Sequence, residues 1–232
     1  MEIRENIAKV RAEVEAAALR AGRKPDDITV AAVTKFQSAD RVNEAIAAGV
    51  RVIAENRAQE LAEKYPLIDK PEGLRIHFIG HLQKNKIKYI IDKVDMVQSV
   101  DTVELAQALS AACEKHDREL DVLVQVNIGN EPQKSGFAVA DAVSAAVEIA
   151  SIPRLRLRGL MAILPIGVEK PEAMKLFSEM CKLFRDIRGN ISENKDISIL
   201  SMGMTDDYEW AVEGGSTLVR IGRAIFGERK II

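Results

Sequence analysis

Short runs of β-branched and aliphatic residues recur along this chain, and a segment of helical period follows almost every one of them. The runs at 28–34, 50–54, 75–79, 95–98, 121–128, 155–161, 197–201 and 217–221 read as strands. Each is too short for a free-standing helix and is rich in Val, Ile and Leu. Between them, 39–48, 56–64, 83–92, 102–116, 138–150, 171–188 and 206–214 place apolar residues at helical spacing. Val103, Ala106, Leu109 and Cys113, for example, share one stripe. A short helix-like segment follows from 222. Strand and helix alternating in this way predict an α/β fold with a parallel sheet. Eight such units predict closure into a (β/α)8 TIM barrel rather than an open doubly wound sheet. No Gly-x-Gly-x-x-Gly follows the first strand, which argues against a dinucleotide-binding domain. Ahead of the first strand, Ile3, Ile7, Val10, Val14, Ala17 and Ala18 predict an extra N-terminal helix over 3–20, stopped at Gly22. The whole span 1–232 is expected to form a single barrel domain, with 65–73 a loop around Pro66 and Pro71.

Composition narrows the function classes. Hydrophobic residues make up 47% of the chain, ample for a core, and aromatics only 4%, so that core is built from Ala, Val, Ile and Leu. A net charge of −2 leaves no basic footprint, and no nucleic-acid partner is expected. No apolar run approaches the roughly 18 residues of a membrane span. The start, Met1 to Asn6, carries acids and no apolar core of a signal peptide. Cys113 and Cys181 sit in helical patterns and read as free thiols, in keeping with a cytoplasmic protein. No long apolar surface stripe is evident, so a monomer or weak dimer is expected.

In a barrel of this kind the site lies at the C-terminal ends of the strands. That rule collects Lys35 after strand 1, Glu55 and Asn56 after strand 2, and Gly80, His81, Gln83 and Asn85 after strand 3. It adds Asn127, Met161 and Ser201 at the ends of strands 5, 6 and 7, and Arg220 and Gly222 at strand 8. A lysine held against apolar walls has its charged form disfavoured, and a neutral amine attacks aldehydes to form a Schiff base. The plainer alternative is a lysine that tops a strand and points into water. The segment Ser201-Met202-Gly203-Met204-Thr205-Asp206-Asp207 leaves a strand through glycine and enters a helix. It reads either as an anion site of backbone N–H groups and a hydroxyl, or as an N-cap made by Thr205 or Asp206. Val219-Arg220-Ile221-Gly222-Arg223-Ala224 is the second glycine-bearing exit, and loops after strands 7 and 8 often build phosphate sites. Arg220 either joins that site or forms a salt bridge at the rim.

The remaining polar candidates carry less. His77 reads as a hydrogen-bonded strand residue, His116 as solvated and His81 as a rim residue, with no metal spacing among them. Lys84, Lys86, Lys88 and Lys93 read as a solvated helix face. Lys134, in a Gly/Pro/Ser loop, either pairs with an anionic ligand or covers the barrel mouth. A strand-end lysine with a phosphate cradle across the barrel suggests an aldehyde-bearing phosphorylated ligand. Two candidates follow: a sugar phosphate in a Schiff-base aldolase, or pyridoxal 5′-phosphate (PLP).

The ordered blocks Ala31-Ala32-Val33-Thr34-Lys35, Glu55-Asn56-Arg57-Ala58-Gln59-Glu60, His77-Phe78-Ile79-Gly80-His81-Leu82-Gln83, Lys134-Ser135-Gly136, Arg158-Gly159-Leu160-Met161, Ser201 to Asp207 and Gly214 to Gly227 resemble the pyridoxal phosphate homeostasis (YggS/PROSC) family over essentially the whole chain. The resemblance implies a barrel like the N-terminal domain of alanine racemase, with PLP as a Schiff base on Lys35. It implies Ser201, Gly203, Thr205 and Gly222 around the phosphate, Arg220 facing the pyridine nitrogen, and Asn56 and Met161 lining the ring pocket. Two departures flank the lysine: Thr34-Lys35-Phe36 stands where the family usually has Ser-Lys-Thr, and Ala54-Glu55-Asn56-Arg57 where it has Gly-Glu-Asn-Tyr. An arginine at the ring nitrogen disfavours its protonation and makes a poor electron sink. In the racemase the opposing acid/base is a tyrosine from a second domain. Here the sequence ends at Ile232, just after the barrel, and Tyr65, Tyr89 and Tyr208 fall away from strand ends. The expectation is a PLP-binding homeostasis protein without robust turnover, with PLP-dependent apo-enzymes as partners. The alternatives are a weak amino-acid racemase or the aldolase.

Overall fold

The structure, a computed structural model, describes residues 2–191 and 196–228. Eight strands, β1 (Thr29–Val33), β2 (Val52–Glu55), β3 (Arg75–Phe78), β4 (Met96–Val100), β5 (Leu120–Val126), β6 (Leu155–Ala162), β7 (Ile199–Ser201) and β8 (Leu218–Ile221), form a closed parallel barrel in chain order. Helices α2 (Ala39–Ala47), α3 (Ala58–Lys64), α4 (Val103–Lys115), α5 (Ala142–Ala150), α6 (Lys170–Asn190), α7 (Tyr208–Glu213) and α8 (Arg223–Phe226) follow the strands, and α1 (Glu2–Arg20) precedes them. The barrel closes where β8 pairs with β1, Ala31 lying opposite Arg220. No helix among the described residues is long and apolar enough to cross a membrane.

Outward strand residues and the inner faces of the helices share one large core. Alternation along each strand sends the other residues inward. There they form only two small apolar clusters, Ala31, Val33, Ala54 and Leu218 in one and Met96, Leu123 and Met161 in the other. The N-terminal helix buries Ile3, Ile7, Val10, Val14, Ala17 and Ala18, as its spacing predicts. It ends at Gly22, φ +66, with Arg23 N–H donating to the Ala18 carbonyl at 2.9 Å, a Schellman-type stop. Side-chain caps start α2 and α4: Ser38 accepts from Arg41 N–H and Thr102 from Leu105 N–H.

Three sequence expectations are corrected. The helix expected over 83–92 is a 3-10 turn, Lys84–Tyr89, continued by further turns. No side chain caps its start, and Lys84 and Lys88 repel at helical i,i+4 spacing. The helix expected from 138 begins at Ala142. Phe137 is held extended against the end of β5, its N–H donating to Gln125 and its carbonyl accepting from Asn127, both at 2.9 Å. The helix expected from 206 begins at Tyr208, and neither Thr205 nor Asp206 is its cap. Asp207 holds that position and turns its carboxylate back onto Met204 N–H at 2.6 Å.

A bulge in β6 inserts Arg158, because Val122 pairs with Leu157 and Leu123 with Gly159. Gly159 follows it with φ +146, and a Cβ there would lie 1.8 Å from the Ile199 carbonyl oxygen. Gly159→Ala is therefore expected to lower the unfolding free energy by about 3 kcal/mol. A urea titration checks this; a midpoint unchanged from the parent protein would show that the β6–β7 approach relaxes freely.

Candidate functional site

The C-terminal mouth of the barrel opens into a cavity of about 470 Å³, within the usual range of small-molecule sites. Of the residues expected there, Lys35, Asn56, Thr205, Arg220 and Gly222 line it. Met161, Ser201 and Gly203 do not. Met161 is fully buried one layer down, against Met96 and Leu123. Ser201 is also fully buried and meets the cavity only through Arg220. Gly203 turns the chain behind the site. Its φ is +90 and a Cβ would lie 2.5 Å from that of Ala211, so packing against α7 alone requires glycine. The other wall includes Gln125 and Asn127 from the end of β5 and the apolar Val33, Ile79 and Ile163.

Lys35 lies just past β1 in a turn closed by Gln37 N–H to the Thr34 carbonyl at 3.1 Å. Its side chain is half-buried. The strand exits carrying Lys35, Gly222 and Thr205 are neighbours, not opposite one another, because closure sets β8 between β1 and β7. The cradle expected across the barrel thus lies beside the lysine. At Gly222 a Cβ would make only ordinary contact, 3.5 Å from Val33, and φ is −111. Packing does not require glycine there; its effect is to leave bare backbone at the start of α8. Gly80 is different: a Cβ would lie 2.1 Å from the Asn56 carbonyl oxygen, so the exits of β2 and β3 are pressed together. The Asn56 side-chain oxygen is sealed from solvent with no partner among the described residues. An unmatched buried polar atom of this kind is uncommon and calls for a partner.

Around the rim, polar side chains tie the loops together. Arg223 binds both carboxylate oxygens of Asp206, at 2.6 and 2.8 Å. His81, exposed at the rim, has Nδ1 3.0 Å from Asp101 and 3.2 Å from Ser135. Lys134 pairs with Glu131 and donates to the Leu164 carbonyl at 3.1 Å, linking the loops after β5 and β6. Glu55 points outward, away from the cavity, toward Lys64. Among the described residues no three His, Cys, Asp or Glu side chains assemble as a metal site.

Arg220 is almost wholly buried inside the barrel, and burial pushes its pKa down to about 10, partly opposed by Asp207. It therefore stays charged at neutral pH. Its guanidinium donates to Ser201 Oγ at 2.6 Å and to the Ala162 carbonyl at 2.8 Å. Ser201 in turn donates to Gln98 Oε1 at 2.7 Å, and Gln98 Nε2 lies 2.8 Å from His77 Nδ1. Arginine is only a donor, so the direction of each bond follows. The serine hydroxyl points at the glutamine oxygen, and the glutamine NH2 points at the histidine. His77 must accept at Nδ1 and is neutral, with its proton on Nε2. Burial agrees, holding its pKa down at about 4. Gln98 is not among the residues that the strand-end rule singles out. Its one signal is a polar side chain in the apolar run Met96-Val97-Gln98 at an inward position.

The model of the alanine racemase N-terminal domain matches residues 2–230. The pyridoxal phosphate homeostasis protein of Escherichia coli (strain K12) is 40% identical over 230 residues, covering 98% of this chain and 97% of its own. That of Pseudomonas aeruginosa is 42% identical over 228 residues, covering 98% and 96%. The chain belongs to the pyridoxal phosphate homeostasis family. Among solved structures, PipY of Synechococcus elongatus, described with PLP bound, is 29% identical with a TM-score of 0.85, covering 97% of this chain and 100% of that one. A Clostridium difficile alanine racemase shares the fold at 16% identity and a TM-score of 0.70, with 57% of its length matched. Both the family and the alanine racemase-like barrel read from the sequence therefore stand.

The interior network has a measurable consequence. His77 is neutral in the folded state down to about pH 4 and protonates near 6.5 when unfolded. As pH falls through that window the unfolded state binds the extra proton, so stability falls. The loss amounts to about 3 kcal/mol by pH 4. In His77→Gln, which can still accept from Gln98, this share of the acid dependence is expected to vanish. Denaturant titrations at pH 7 and pH 4.5 check it; equal pH slopes in the two proteins would refute the assignment.

Proposed function

We propose that this chain binds PLP reversibly through Lys35 and holds or hands over the cofactor, without turning over a substrate at enzymatic rates. In this reading it is a single-domain cytoplasmic protein, monomeric or weakly dimeric, and its partners are PLP-dependent apo-enzymes. The observation that carries the reading is one cavity that joins a half-buried lysine, an unmatched buried polar atom on Asn56 and a buried arginine. The donor set fits the cofactor: an amine for its aldehyde, a guanidinium for its ring nitrogen, bare backbone and a hydroxyl for its phosphate. The names of the relatives and the PLP-bound neighbour support the same assignment.

When bound, PLP supplies an aldehyde that condenses reversibly with the Lys35 amine. Thr205 and Gly222, from the adjoining exits, would hold the phosphate. Gly203 contributes by turning the chain so that Thr205 reaches the cavity. Asn56 would meet the ring edge. Met161 supports the pocket from below and Ser201 acts by fixing Arg220. Arg220 has no acceptor to offer and repels a second positive charge, so it favours an unprotonated ring nitrogen. Such a ring is a weak sink for electrons from a substrate carbanion. Tyrosine placement supports a carrier over a racemase: Tyr208 donates its hydroxyl to Glu13 between α7 and α1, and neither Tyr65 nor Tyr89 lines the cavity.

Purified protein loaded with PLP is expected to show a visible absorbance band that is absent from Lys35→Ala. A colourless protein that borohydride traps on a sugar phosphate would favour the aldolase instead. Steady Cα–H exchange of L-alanine in D2O at catalytic rates would overturn the carrier reading. Arg220→Ala is expected to shift the band and weaken retention at least tenfold, since a buried charge-assisted bond is worth roughly 1.5–3 kcal/mol. An unchanged spectrum and affinity would remove Arg220 from the ring.

A further inference from the structure

Outside the barrel wall, behind Lys35, lies a buried ionic cluster that the cavity does not use. The Lys64 ammonium donates to the Thr34 carbonyl at 2.9 Å, to Glu55 Oε1 at 2.7 Å and to Glu60 Oε1 at 3.0 Å. An ammonium has three donors, and all three are matched. Lys64 is thereby held outside the barrel wall and does not line the cavity. Glu55 Oε1 also accepts from the Thr34 hydroxyl at 2.6 Å, and Glu60 Oε1 accepts from Phe36 N–H at 2.6 Å. The cluster thus grips the backbone on both sides of Lys35, at Thr34 and at Phe36. What it grips is strained: Phe36 has φ +62, the left-handed region that the third position of such a turn normally reserves for glycine or asparagine. Arg57, stacked 4.7 Å from the centre of the Phe36 ring, braces the same residue from the outside.

A salt bridge that served only the fold would pair helix with strand and stop there. This one reaches two backbone groups of a single turn, the turn whose middle residue is Lys35. We infer that Glu60, held by Lys64, is a positioning residue that fixes the Lys35 turn in its strained form and so aims the amine into the cavity. The inference rests on the reading that Lys35 takes PLP.

Glu60→Ala and Glu60→Gln separate this role from charge and from folding. The glutamine oxygen still accepts from Phe36 N–H, whereas alanine does not. Glu60 is partly exposed, with 21% of its side chain accessible, and both variants remove the carboxylate that pairs with Lys64, so both are expected to fold with unfolding midpoints lowered by a similar, small amount. Loss of one charge-assisted anchor predicts a PLP dissociation constant raised about tenfold in Glu60→Ala and within about twofold of the parent in Glu60→Gln. The visible circular dichroism of the bound cofactor, which reports its orientation, is expected to change in Glu60→Ala at saturation and to recover in Glu60→Gln. Faster amide exchange at Phe36 in Glu60→Ala alone gives a readout that needs no cofactor. Equal behaviour of the two variants, or affinity loss that tracks a lowered unfolding midpoint, overturns the positioning role. A parent protein whose PLP band survives Lys35→Ala overturns the underlying reading as well, and borohydride reduction followed by peptide mapping tells the two failures apart.

Discussion

A guanidinium sealed inside the barrel dictates the polarity of everything around it. Arg220 gives hydrogen bonds and takes none, and its charge has little access to water. Burying such a group is tolerable only where its donors are matched. Ser201 and the Ala162 carbonyl match two of its five donors, and Ser201 passes the polarity on through Gln98 to His77. An all-aliphatic barrel interior would need none of these groups. Here the interior keeps small residues near the arginine, Ala31 in register with it and Ala54 in the same cluster. The polar thread connects the ligand cavity to a histidine that lines the barrel floor. Its members belong to four different strands, so it also ties the wall together across the interior.

The two segments that depart from the expected family pattern beside Lys35 meet at Phe36 and Arg57. Phe36 and Arg57 look in the sequence like separate substitutions on separate strand exits, and they stack on each other. A phenylalanine is a poor residue for φ +62, and a residue so placed persists only when its surroundings over-determine it. The stacked arginine, the Glu60 carboxylate and the Lys64-bound Thr34 carbonyl supply that determination. A change at Arg57 alone would remove one of the turn's supports, and a change at Phe36 alone would leave an arginine without its aromatic face.

The barrel was legible because its signal is repeated. Eight alternations of short strand and helix leave few architectures, and the spacing of Ile3, Ile7, Val10 and Val14 marks the extra helix unaided. Boundaries were less legible where tertiary contacts override local preference, as at Phe137, which the end of β5 holds extended just ahead of the expected helix start. The rule that sites gather at strand ends picked out Lys35, Asn56, Arg220 and Gly222, and the glycine-bearing segment after the seventh strand added Thr205; all five line one cavity. The rule could not tell depth. Met161, next to last in β6, and Ser201, last in β7, also sit at strand ends, yet their side chains lie a layer below the cavity. Gln98 was hidden for the converse reason: it sits in mid-strand, and its meaning appears only when β4, β7 and β8 face one another around the interior. Lys64 and Glu60 read as ordinary charges of a short helix, and nothing local shows that their partners are the backbone groups flanking Lys35.

Closure of the barrel is itself the step that makes the site. In chain order Lys35 and Arg220 are almost as far apart as two strand-end residues can be, one leaving the first strand and the other in the last. In an open sheet of the same strand order they would stand at opposite edges. The β1–β8 pairing brings them onto adjacent strands, with Thr29 to Ala32 in register with Leu218 to Ile221. That seam also sets the bare backbone of Gly222 against Val33. Loosening of the seam would part the two strand exits that carry the amine and the arginine. Cofactor retention in this chain is therefore coupled to the integrity of one strand pair, and ligand bound across it would stabilise the closed form by the same linkage.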